Sequence, residues 1–232
     1  MARRNESRPT LDVTWADQHR SAARALLGAF VTDPSWSAEL RTPRGREVVL
    51  ARLLSTLAAE AAEHGGLLIA RADAKVVGAA CVWTPGFHPK PRPTSNYFLA
   101  GAAILRHTGF RSVPLIQRWR AVQRADPAAE HWHLALLGVD PTWQGRGVGS
   151  SLMSAYLRRV DSADGAAYLE TGRGELLTWY SRFGFEVHDE LTLPGARTAW
   201  TMWREPAGKL PDCTVSACAQ SAEPSSLAVR SS

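Results

Sequence analysis

The sequence predicts a mixed α/β (α+β) protein built around one central sheet. Helical and strand patterns alternate through the second half of the chain, which neither a helical bundle nor a β-sandwich would show. Trp132–Val139 is almost entirely apolar, as expected of a strand that lies in the middle of a sheet. The 232 residues are 45% hydrophobic and 21% charged, which is ordinary for a globular protein with one large core.

The first half begins with a strand and two helices. Asp17 is the expected N-cap of the first helix, and Gly65 is expected to end the second by adopting a left-handed conformation. Two apolar runs separated by a polar turn then predict a β-hairpin. The predicted elements are, in order, strand Leu11–Trp15, a helix ending near Phe30, helix Arg46–Glu63, and strands Leu67–Ala70 and Val76–Trp83.

A proline-rich segment, Pro85–Pro93, follows the hairpin; it contains four prolines and is expected to be a loop. The strand Trp132–Val139 and the helix after it have the clearest patterns of the chain. The predicted elements after the loop are helices Tyr97–His107 and Pro114–Arg124, strand Trp132–Val139, helix Gly147–Val160, strand Ala167–Glu170, helix Glu175–Arg182, and strands Phe185–Thr192 and Thr198–Trp203.

Composition divides the chain into an arm, a domain and a tail. Residues 1–10 are polar and basic and are expected to be a flexible arm, residues 11–206 form one domain, and residues 207–232 are rich in Ser, Ala and Pro, as in disordered tails. No apolar stretch is long enough to cross a membrane, and no secretory signal is recognisable. Three cysteines are too few for a disulfide framework, so a cytoplasmic location is expected.

The net charge of +5 and the pI of about 9.5 raise three possibilities: nucleic acid, a membrane surface or an anionic ligand. The arginines are scattered rather than stacked in one run, so neither a nucleic-acid nor a membrane partner is expected. A zinc site at Cys213 and Cys218 is also disfavoured, because this C-x4-C pair has no second ligand pair beside it. The sequence therefore predicts no metal.

A glycine-rich loop follows the central strand and opens the next helix. Such a loop directs several unpaired N–H groups and the positive end of a helix dipole at one point, which suits a phosphate group. The dinucleotide fingerprint would need glycine where Ser150 stands, and the Walker loop's Gly-Lys-Ser/Thr is absent. The spacing present is Gln-x-x-Gly-x-Gly, formed by Gln144, Gly147 and Gly149.

This spacing resembles the pyrophosphate loop of the GNAT (GCN5-related) acyl-CoA N-acyltransferases. Val139-Asp140-Pro141 before it is similar to the strand and turn of that family. Tyr168-Leu169-Glu170-Thr171 and the segment from Trp179 to Phe185, which contains Tyr-x-x-x-Gly-Phe, resemble the strand and helix that follow. His131-Trp132-His133-Leu134 and Leu169-Glu170-Thr171 are most similar to the puromycin N-acetyltransferase branch.

The resemblance implies the GNAT fold: a mixed, mostly antiparallel sheet with helices on both faces, in which the fourth and fifth strands splay apart. Acetyl-CoA is then the cosubstrate, with its pantetheine arm in the splay and its pyrophosphate on the loop. A monomer or a homodimer would suit this fold. The cofactor-binding residues implied are Leu137, Gly138, Val139, Gln144, Gly145, Arg146, Gly147, Val148, Gly149, Ser150 and Leu176.

The same resemblance implies three catalytic candidates. Tyr180 matches the tyrosine that donates a proton to the departing sulfur of CoA. Glu170 and His133 are alternatives for the base that deprotonates the amine or binds it, and His131 or a chain of water molecules also stays open. Leu176 stands where related chains often have an asparagine that holds the pantetheine arm, so that amide contact is lost here.

The acceptor implied is a primary amine on a small molecule or a peptide-like metabolite, as in antibiotic self-resistance or tailoring. Aromatic residues in the first half would suit the wall of such a site, or they could simply fill the core. A non-catalytic acyl-CoA-binding module and a protein or peptide N-terminal acetyltransferase stay open as alternatives. The aromatic candidates are Trp36, Trp83, Phe87, Tyr97, Phe98 and Trp119.

Overall fold

The structure is a computed structural model that describes residues 10–33, 40, 42–87, 95–109, 112–195 and 197–208. The strands are β1 (Leu11–Trp15), β2 (Leu67–Ala72), β3 (Lys75–Trp83), β4 (Trp132–Val139), β5 (Ala167–Thr171), β6 (Glu186–Leu193) and β7 (Arg197–Arg204). The helices are α1 (His19–Phe30), α2 (Pro43–Glu63), α3 (Ser95–Thr108), α4 (Ser112–Ala125), α5 (Val148–Ser162) and α6 (Leu177–Ser181).

These strands form one seven-stranded sheet in the order β1-β2-β3-β4-β5-β7-β6. Every neighbouring pair is antiparallel except β4 and β5, which are parallel. The apolar β4 is the middle strand, as its composition predicts. The prediction of a mixed, mostly antiparallel sheet is confirmed.

The two N-terminal helices begin at different residues from those expected. Gln18, not Asp17, occupies the N-cap of α1 and makes no side-chain capping bond, so the prediction for Asp17 was wrong. The Asp17 backbone carbonyl instead accepts a hydrogen bond from the His19 N–H at 2.7 Å. Helix α2 begins earlier than expected, because Thr42 Oγ1 caps the Gly45 N–H at 3.2 Å and Pro43 suits the first helical position.

The last predicted helix is shorter and irregular. A 3₁₀ turn occupies Gly174–Leu176, and α6 then covers only Leu177–Ser181. Gly184, with φ of +84°, lies in the turn that leads from α6 to β6. A short segment with few backbone hydrogen bonds is therefore held in place by its side-chain packing.

The sheet separates two apolar clusters. On one face, Leu26 of α1, Leu50 of α2 and Ile69 of β2 belong to one cluster, and on the other face Leu152 of α5 and Leu169 of β5 belong to the second. All five side chains are at most 1% exposed, and burial of each contributes about 1.5–3 kcal/mol. Helices on both faces hold β4 rigidly in the centre.

One buried hydrogen bond ties α5 to the start of β4. The Tyr156 hydroxyl donates to the Trp132 carbonyl at 2.8 Å, and the Tyr156 side chain is fully buried. We expect Tyr156→Phe to lower the free energy of unfolding by about 1–2 kcal/mol, because the carbonyl keeps its burial and loses a donor. Urea denaturation followed by tryptophan fluorescence measures this, and an unchanged midpoint would contradict it.

Several sequence predictions fall outside the described residues. These include the basic arm up to residue 9, the tail from residue 209 with Cys213 and Cys218, and most of the proline-rich loop. The proposed domain limits therefore stay predictions. In the described part of the chain, no helix is both long and apolar enough to span a bilayer.

Candidate active site

The parallel pairing of β4 and β5 is short, and it opens into a wedge. Backbone pairing runs only from Trp132–Ala167 to Leu134–Leu169. Beyond that point, β4 pairs with β3 alone as far as Val139. We call the gap between this part of β4 and the end of β5 the wedge.

A bulge in β4 lies where the wedge begins. Leu134 pairs with Val82 and Leu136 pairs with Cys81, so Ala135 is an extra residue on the β4 side. A bulge bends its strand and increases the local twist. The bend directs β4 away from β5, which accounts for the splay that the resemblance implied.

The glycine-rich loop joins β4 to α5 and has a well-defined backbone. Asp140 Oδ1 accepts hydrogen bonds from the Thr142 N–H at 3.0 Å and from Thr142 Oγ1 at 2.6 Å, which fixes the turn after the strand. Gly145 and Gly147 have φ angles of +71° and +83°, a conformation that favours glycine. Gly147 is the N-cap of α5. The loop conformation thus depends on the glycines that the motif contains.

The N-terminus of α5 offers unpaired donors beside open space. The Ser151 N–H bonds to the Gly147 carbonyl at 3.0 Å, so the N–H groups of Val148, Gly149 and Ser150 precede the first backbone bond of the helix. A Cβ added to Gly145 or Gly147 would meet no atom within 4 Å. These residues therefore have the donors and the room that a diphosphate needs.

Gln144 and Arg146 have different surroundings in this loop. Gln144 Nε2 donates to the Val139 carbonyl at 3.1 Å, so this side chain braces the loop against the end of β4. The exposed Arg146 guanidinium lies over the Trp143 ring, 5.0 Å from its centroid. Arg146 is thus held near the loop by a cation–π contact and adds a positive charge there.

The remaining cofactor-binding candidates line the wedge or pack behind it. Gly138 packs closely against α1, where an added Cβ would approach Ala29 Cβ and Leu26 Cδ2 to 3.0 Å, and its part in cofactor binding stays a prediction. An added Cβ at Gly149 would lie 3.9 Å from Leu137 Cδ2 and 3.7 Å from Trp179 Cζ2. Leu137, Gly149 and Trp179 therefore meet at the mouth of the wedge.

Tyr180 lies on α6 in the apolar cluster that also contains residues of β4, β5 and α5. Its ring is 4.9 Å from that of Trp179 and 6.2 Å from that of Phe185. Burial raises the pKa of the Tyr180 phenol to about 12, while the positive charge of Arg173 acts in the opposite direction. The phenol is therefore neutral at pH 7 and keeps a proton that it can donate. Leu176 packs against the same cluster.

His133 and Glu170 form a partly buried ion pair across β4 and β5. His133 Nε2 lies 2.8 Å from Glu170 Oε2, and the two side chains are only 14% and 12% exposed. The other carboxylate oxygen, Glu170 Oε1, is buried and meets no hydrogen-bond partner among the described residues. The structure thus brings the two base candidates together and leaves one acceptor atom for a further donor.

A second ion pair and a tyrosine surround this pair. His131 Nε2 lies 3.1 Å from Asp126 Oδ1, and His131 Nδ1 lies 2.7 Å from the Ala129 carbonyl. The Tyr168 ring stands edge-on to both imidazoles, and burial together with the charges of Glu170 and Asp126 raises its pKa above the usual range. The result is a cluster of titratable groups on one face of β4 and β5.

The pKa of His133 reflects opposing influences. Burial of the imidazole lowers it, whereas the charge of Glu170, the hydrogen bond with Glu170 and the charge of Asp126 raise it. The net effect is a raised pKa. The pair therefore holds a proton more firmly than an isolated histidine would.

Metal binding is one further use of this cluster that its spacing permits. One ligand atom each from Asp126, His131 and His133 lies within 4.8 Å of the others. These groups already form ion pairs, since His131 is paired with Asp126 and His133 with Glu170. The structure does not require an ion to balance these charges, and the sequence-based expectation of no metal stays a prediction.

Sequence reasoning missed four side chains of this region. Asp126 and Tyr168 belong to the titratable cluster, Trp179 borders the wedge, and Arg173 lies close enough to Tyr180 to affect its pKa. Tyr168 was identifiable by its place two residues before Glu170, because alternate residues of a strand share a face. Asp126 had no such signal.

The aromatic residues expected around the acceptor differ in location and in burial. Trp83 is 3% exposed and belongs to the core, whereas Phe87 stacks on His64 with 3.8 Å between ring centroids. Trp119 is exposed on α4. Trp36 and the side chains of Tyr97 and Phe98 lie outside the described part of the chain.

Comparison with known proteins identifies the family. A family model described as an acetyltransferase (GNAT) domain matches residues 63–187, more than half of the chain. This match begins at the end of α2 and ends in β6, so it includes the wedge, the glycine-rich loop and the residues around Tyr180 and Glu170.

Solved structures share the fold at low sequence identity. A histone acetyltransferase HPA2 and related acetyltransferase from Corynebacterium glutamicum is 22% identical, with a TM-score of 0.63 over 88% of this chain and 98% of that one. The polyamine N-acetyltransferase of Drosophila melanogaster, which forms N-acetylagmatine, is 16% identical, with a TM-score of 0.58 over 84% and 100% of the two chains.

A third structure, the PaiA N-acetyltransferase from Thermoplasma acidophilum in complex with coenzyme A, is 11% identical, with a TM-score of 0.50 over 84% of this chain and 99% of that one. At these identities the likeness is one of fold, and the similarity to the puromycin N-acetyltransferase branch stays a prediction. On the strength of the family match and the geometry above, this chain belongs to the GNAT acetyltransferase family and is an acetyl-CoA-dependent N-acetyltransferase.

Proposed function

We propose that this enzyme transfers the acetyl group of acetyl-CoA directly to a primary amine of a small molecule or a peptide-like metabolite. Antibiotic self-resistance or tailoring is the biological role that we favour. The observation that carries the proposal is the position of the wedge, which has the glycine-rich loop at one end and the His133–Glu170 pair near the other.

The chain's own residues suit the coenzyme. The N–H groups of Val148, Gly149 and Ser150 would hold the pyrophosphate, and the wedge beside Leu137 would take the pantetheine arm. When bound, acetyl-CoA supplies an activated thioester carbonyl. The open space beside Gly145 and Gly147 supports this assignment, because any larger residue would fill it.

The amine must lose a proton before it can attack the carbonyl carbon. Glu170 Oε1 is a buried acceptor that an incoming ammonium group can satisfy. His133, bonded to the other carboxylate oxygen, would take the proton or pass it to solvent. The pair thus combines amine binding with proton removal.

Acetyl transfer forms a carbon–nitrogen bond and breaks the carbon–sulfur bond, so the sulfur leaves with the bonding electrons. A proton donated to this sulfur makes it a better leaving group. The neutral Tyr180 phenol is our candidate donor, since its raised pKa keeps it protonated at neutral pH. The phenol is then reprotonated from solvent or from the amine's proton.

An amine screen tests the proposed acceptor class. CoA thiol release would be measured with amino-nucleosides, peptides, arylalkylamines, agmatine and polyamines, the last two because of the Drosophila relative. We expect turnover with bulky primary amines of small molecules. Turnover restricted to ribosomal N-termini or simple polyamines would contradict the proposed acceptor class. Coenzyme binding with no turnover for any amine would favour the non-catalytic acyl-CoA-binding module.

The proposed pyrophosphate loop can be tested by a matched pair of glycine variants. Gly147 and Gly195 both have φ near +80° and open space where a Cβ would stand, but Gly195 lies in the turn between β6 and β7. Both alanine variants carry a similar backbone strain of about 1–2 kcal/mol. If the loop changes shape to relieve this strain, its N–H groups no longer fit the pyrophosphate. We therefore expect Gly147→Ala to weaken acetyl-CoA binding about tenfold or more in calorimetry, which corresponds to a loss of about 1.4 kcal/mol in binding free energy.

The Gly195→Ala variant is the control for strain alone. Its acetyl-CoA affinity should match that of the unmodified protein, while its thermal midpoint falls as much as that of Gly147→Ala. Equal affinities for both variants would show that the loop does not hold the coenzyme.

A further inference from the structure

The segment that contains α3 and α4 has a one-sided charge. From Ser95 to Ala125 the chain has five arginines and no lysine, aspartate or glutamate. The net charge of the whole chain is +5, so this one segment holds as much net positive charge as the chain as a whole. A surface built from it therefore attracts anions.

Exposed apolar side chains concentrate on the same two helices. Among the described residues, seven large hydrophobic side chains are exposed, and five of them lie on α3 or α4, whereas Val48 and Val187 lie elsewhere. Such a concentration on a surface usually marks a place of contact. The five are Leu99, Leu105, Val113, Ile116 and Trp119.

On α4 the apolar and basic residues share one face. Val113, Ile116 and Trp119 follow each other at intervals of three, so they lie within about 120° around the helix axis. Arg120 and Arg124 are also exposed and lie beside Val113 and Ile116 on this face. Leu115, outside this arc, is buried. Helices α3 and α4 are in contact, and we call the exposed apolar and basic side chains of both, including Leu99 and Leu105 of α3, the α3–α4 face.

We propose that the α3–α4 face docks on the surface of a bilayer that contains anionic phospholipids. Arginines mixed with aliphatic side chains and a tryptophan are typical of helices that lie in the lipid headgroup region. A second copy of the chain would bring like charges together. Nucleic acid would leave the four aliphatic side chains without a favourable contact. This proposal departs from the sequence-based expectation of no membrane partner.

The α3–α4 face is connected to the candidate active site through the end of α4. The Ala125 carbonyl accepts a hydrogen bond from the Tyr168 hydroxyl at 3.4 Å, and Asp126 pairs with His131. Docking would therefore place the amine side of the site close to the bilayer. The proposal goes beyond acetyl transfer, because the face would bind lipid whether or not the enzyme turns over.

Vesicle co-sedimentation of the full-length protein tests the proposal. One set of vesicles would be phosphatidylcholine alone, and the other would contain about one-third phosphatidylglycerol. We expect binding to the anionic vesicles only, weakened by raising NaCl from about 0.05 to about 0.5 M. Ile116→Glu should weaken binding about tenfold, because it removes an apolar contact and adds an adverse charge.

Val48→Glu is the matched control, since Val48 is an exposed aliphatic residue on α2, and its binding should be unchanged. A double variant, Arg120→Gln with Arg124→Gln, should weaken binding without altering the apolar contacts. The proposal is overturned by no binding, by equal binding to neutral vesicles, or by equal loss in the Val48 variant. It is also overturned if the Ile116 variant abolishes a dimer seen by size exclusion, or if only duplex DNA is bound.

Discussion

Tyr180→Phe is expected to lower kcat by about 10²–10⁴-fold, the range typical of a lost general acid. Phenylalanine keeps the ring contacts with Trp179 and Phe185, so the apolar packing of α6 should survive. The only group removed is the hydroxyl whose proton would go to the departing sulfur. Acetyl-CoA affinity should change little, because the coenzyme's pyrophosphate is held elsewhere. Steady-state kinetics of thiol release, with calorimetry for affinity, measure both quantities.

Tyr156→Phe provides the matched control for this prediction. Tyr156 is also a buried tyrosine, but its hydroxyl bonds to the Trp132 carbonyl. The two variants should therefore show opposite results: Tyr156→Phe loses stability and keeps kcat, whereas Tyr180→Phe keeps stability and loses kcat. A Tyr180→Phe enzyme with kcat within a few-fold of the unmodified protein would exclude Tyr180 as the proton donor.

Glu170→Gln is expected to reduce kcat/KM about 10²-fold or more and to change the pH profile. Glutamine cannot carry the negative charge that would bind an ammonium group and take its proton. The substitution also removes the negative charge that raises the pKa of His133. Burial of the imidazole lowers this pKa, and in the variant only the charge of Asp126 would oppose that effect. The pKa of His133 should therefore fall in the variant.

The sign of the pH shift follows from the role of His133. A base must be neutral, so the rate of the unmodified enzyme should rise with pH through the raised pKa of His133. In Glu170→Gln the residual rate should rise at a lower pH, although its plateau is lower. Glu186 is an exposed carboxylate on β6, and the control variant Glu186→Gln should change neither the plateau rate nor the pH at which the rate rises. A profile with an unmoved midpoint would show that His133 is not the titrating base.

The same raised pKa has a consequence for stability. Below the unfolded-state pKa of about 6.5, His133 is protonated in both the folded and the unfolded protein. The ion pair with Glu170 then contributes fully to the free energy of unfolding. As pH rises through the raised folded-state pKa, the proton leaves and this contribution is lost. The difference in thermal stability between the unmodified protein and His133→Gln should therefore be largest in mildly acidic solution. Thermal melts of both proteins at several pH values would show this.

Much of the fold could be predicted because its signals are local. The apolar run of β4, the hairpin between β2 and β3, and the glycines of the loop each follow from a few neighbouring residues. Predictions failed at the ends of helices. Gln18 rather than Asp17 occupies the N-cap position of α1, although its side chain makes no capping bond, and Thr42 with Pro43 starts α2 early.

The candidate site was only partly predictable. Tyr180, Glu170 and the loop could be placed by resemblance, because their spacing along the chain matches the family's. The pairing of His133 with Glu170, the approach of Asp126 to His131, and the bulge at Ala135 could not. These depend on which strands become neighbours, and in what register.

The sequence by itself determined where the chain bends, coils and extends, and where a phosphate could rest, because backbone preferences and the ends of helices act over a few residues. Only the tertiary structure decided which distant side chains share a site. His133 and Glu170 meet because β4 and β5 pair in parallel for three residues and then part, and Asp126 reaches the same cluster from the segment after α4. That geometry arises from the packing of the whole sheet between its helices, and no single segment of the chain encodes it.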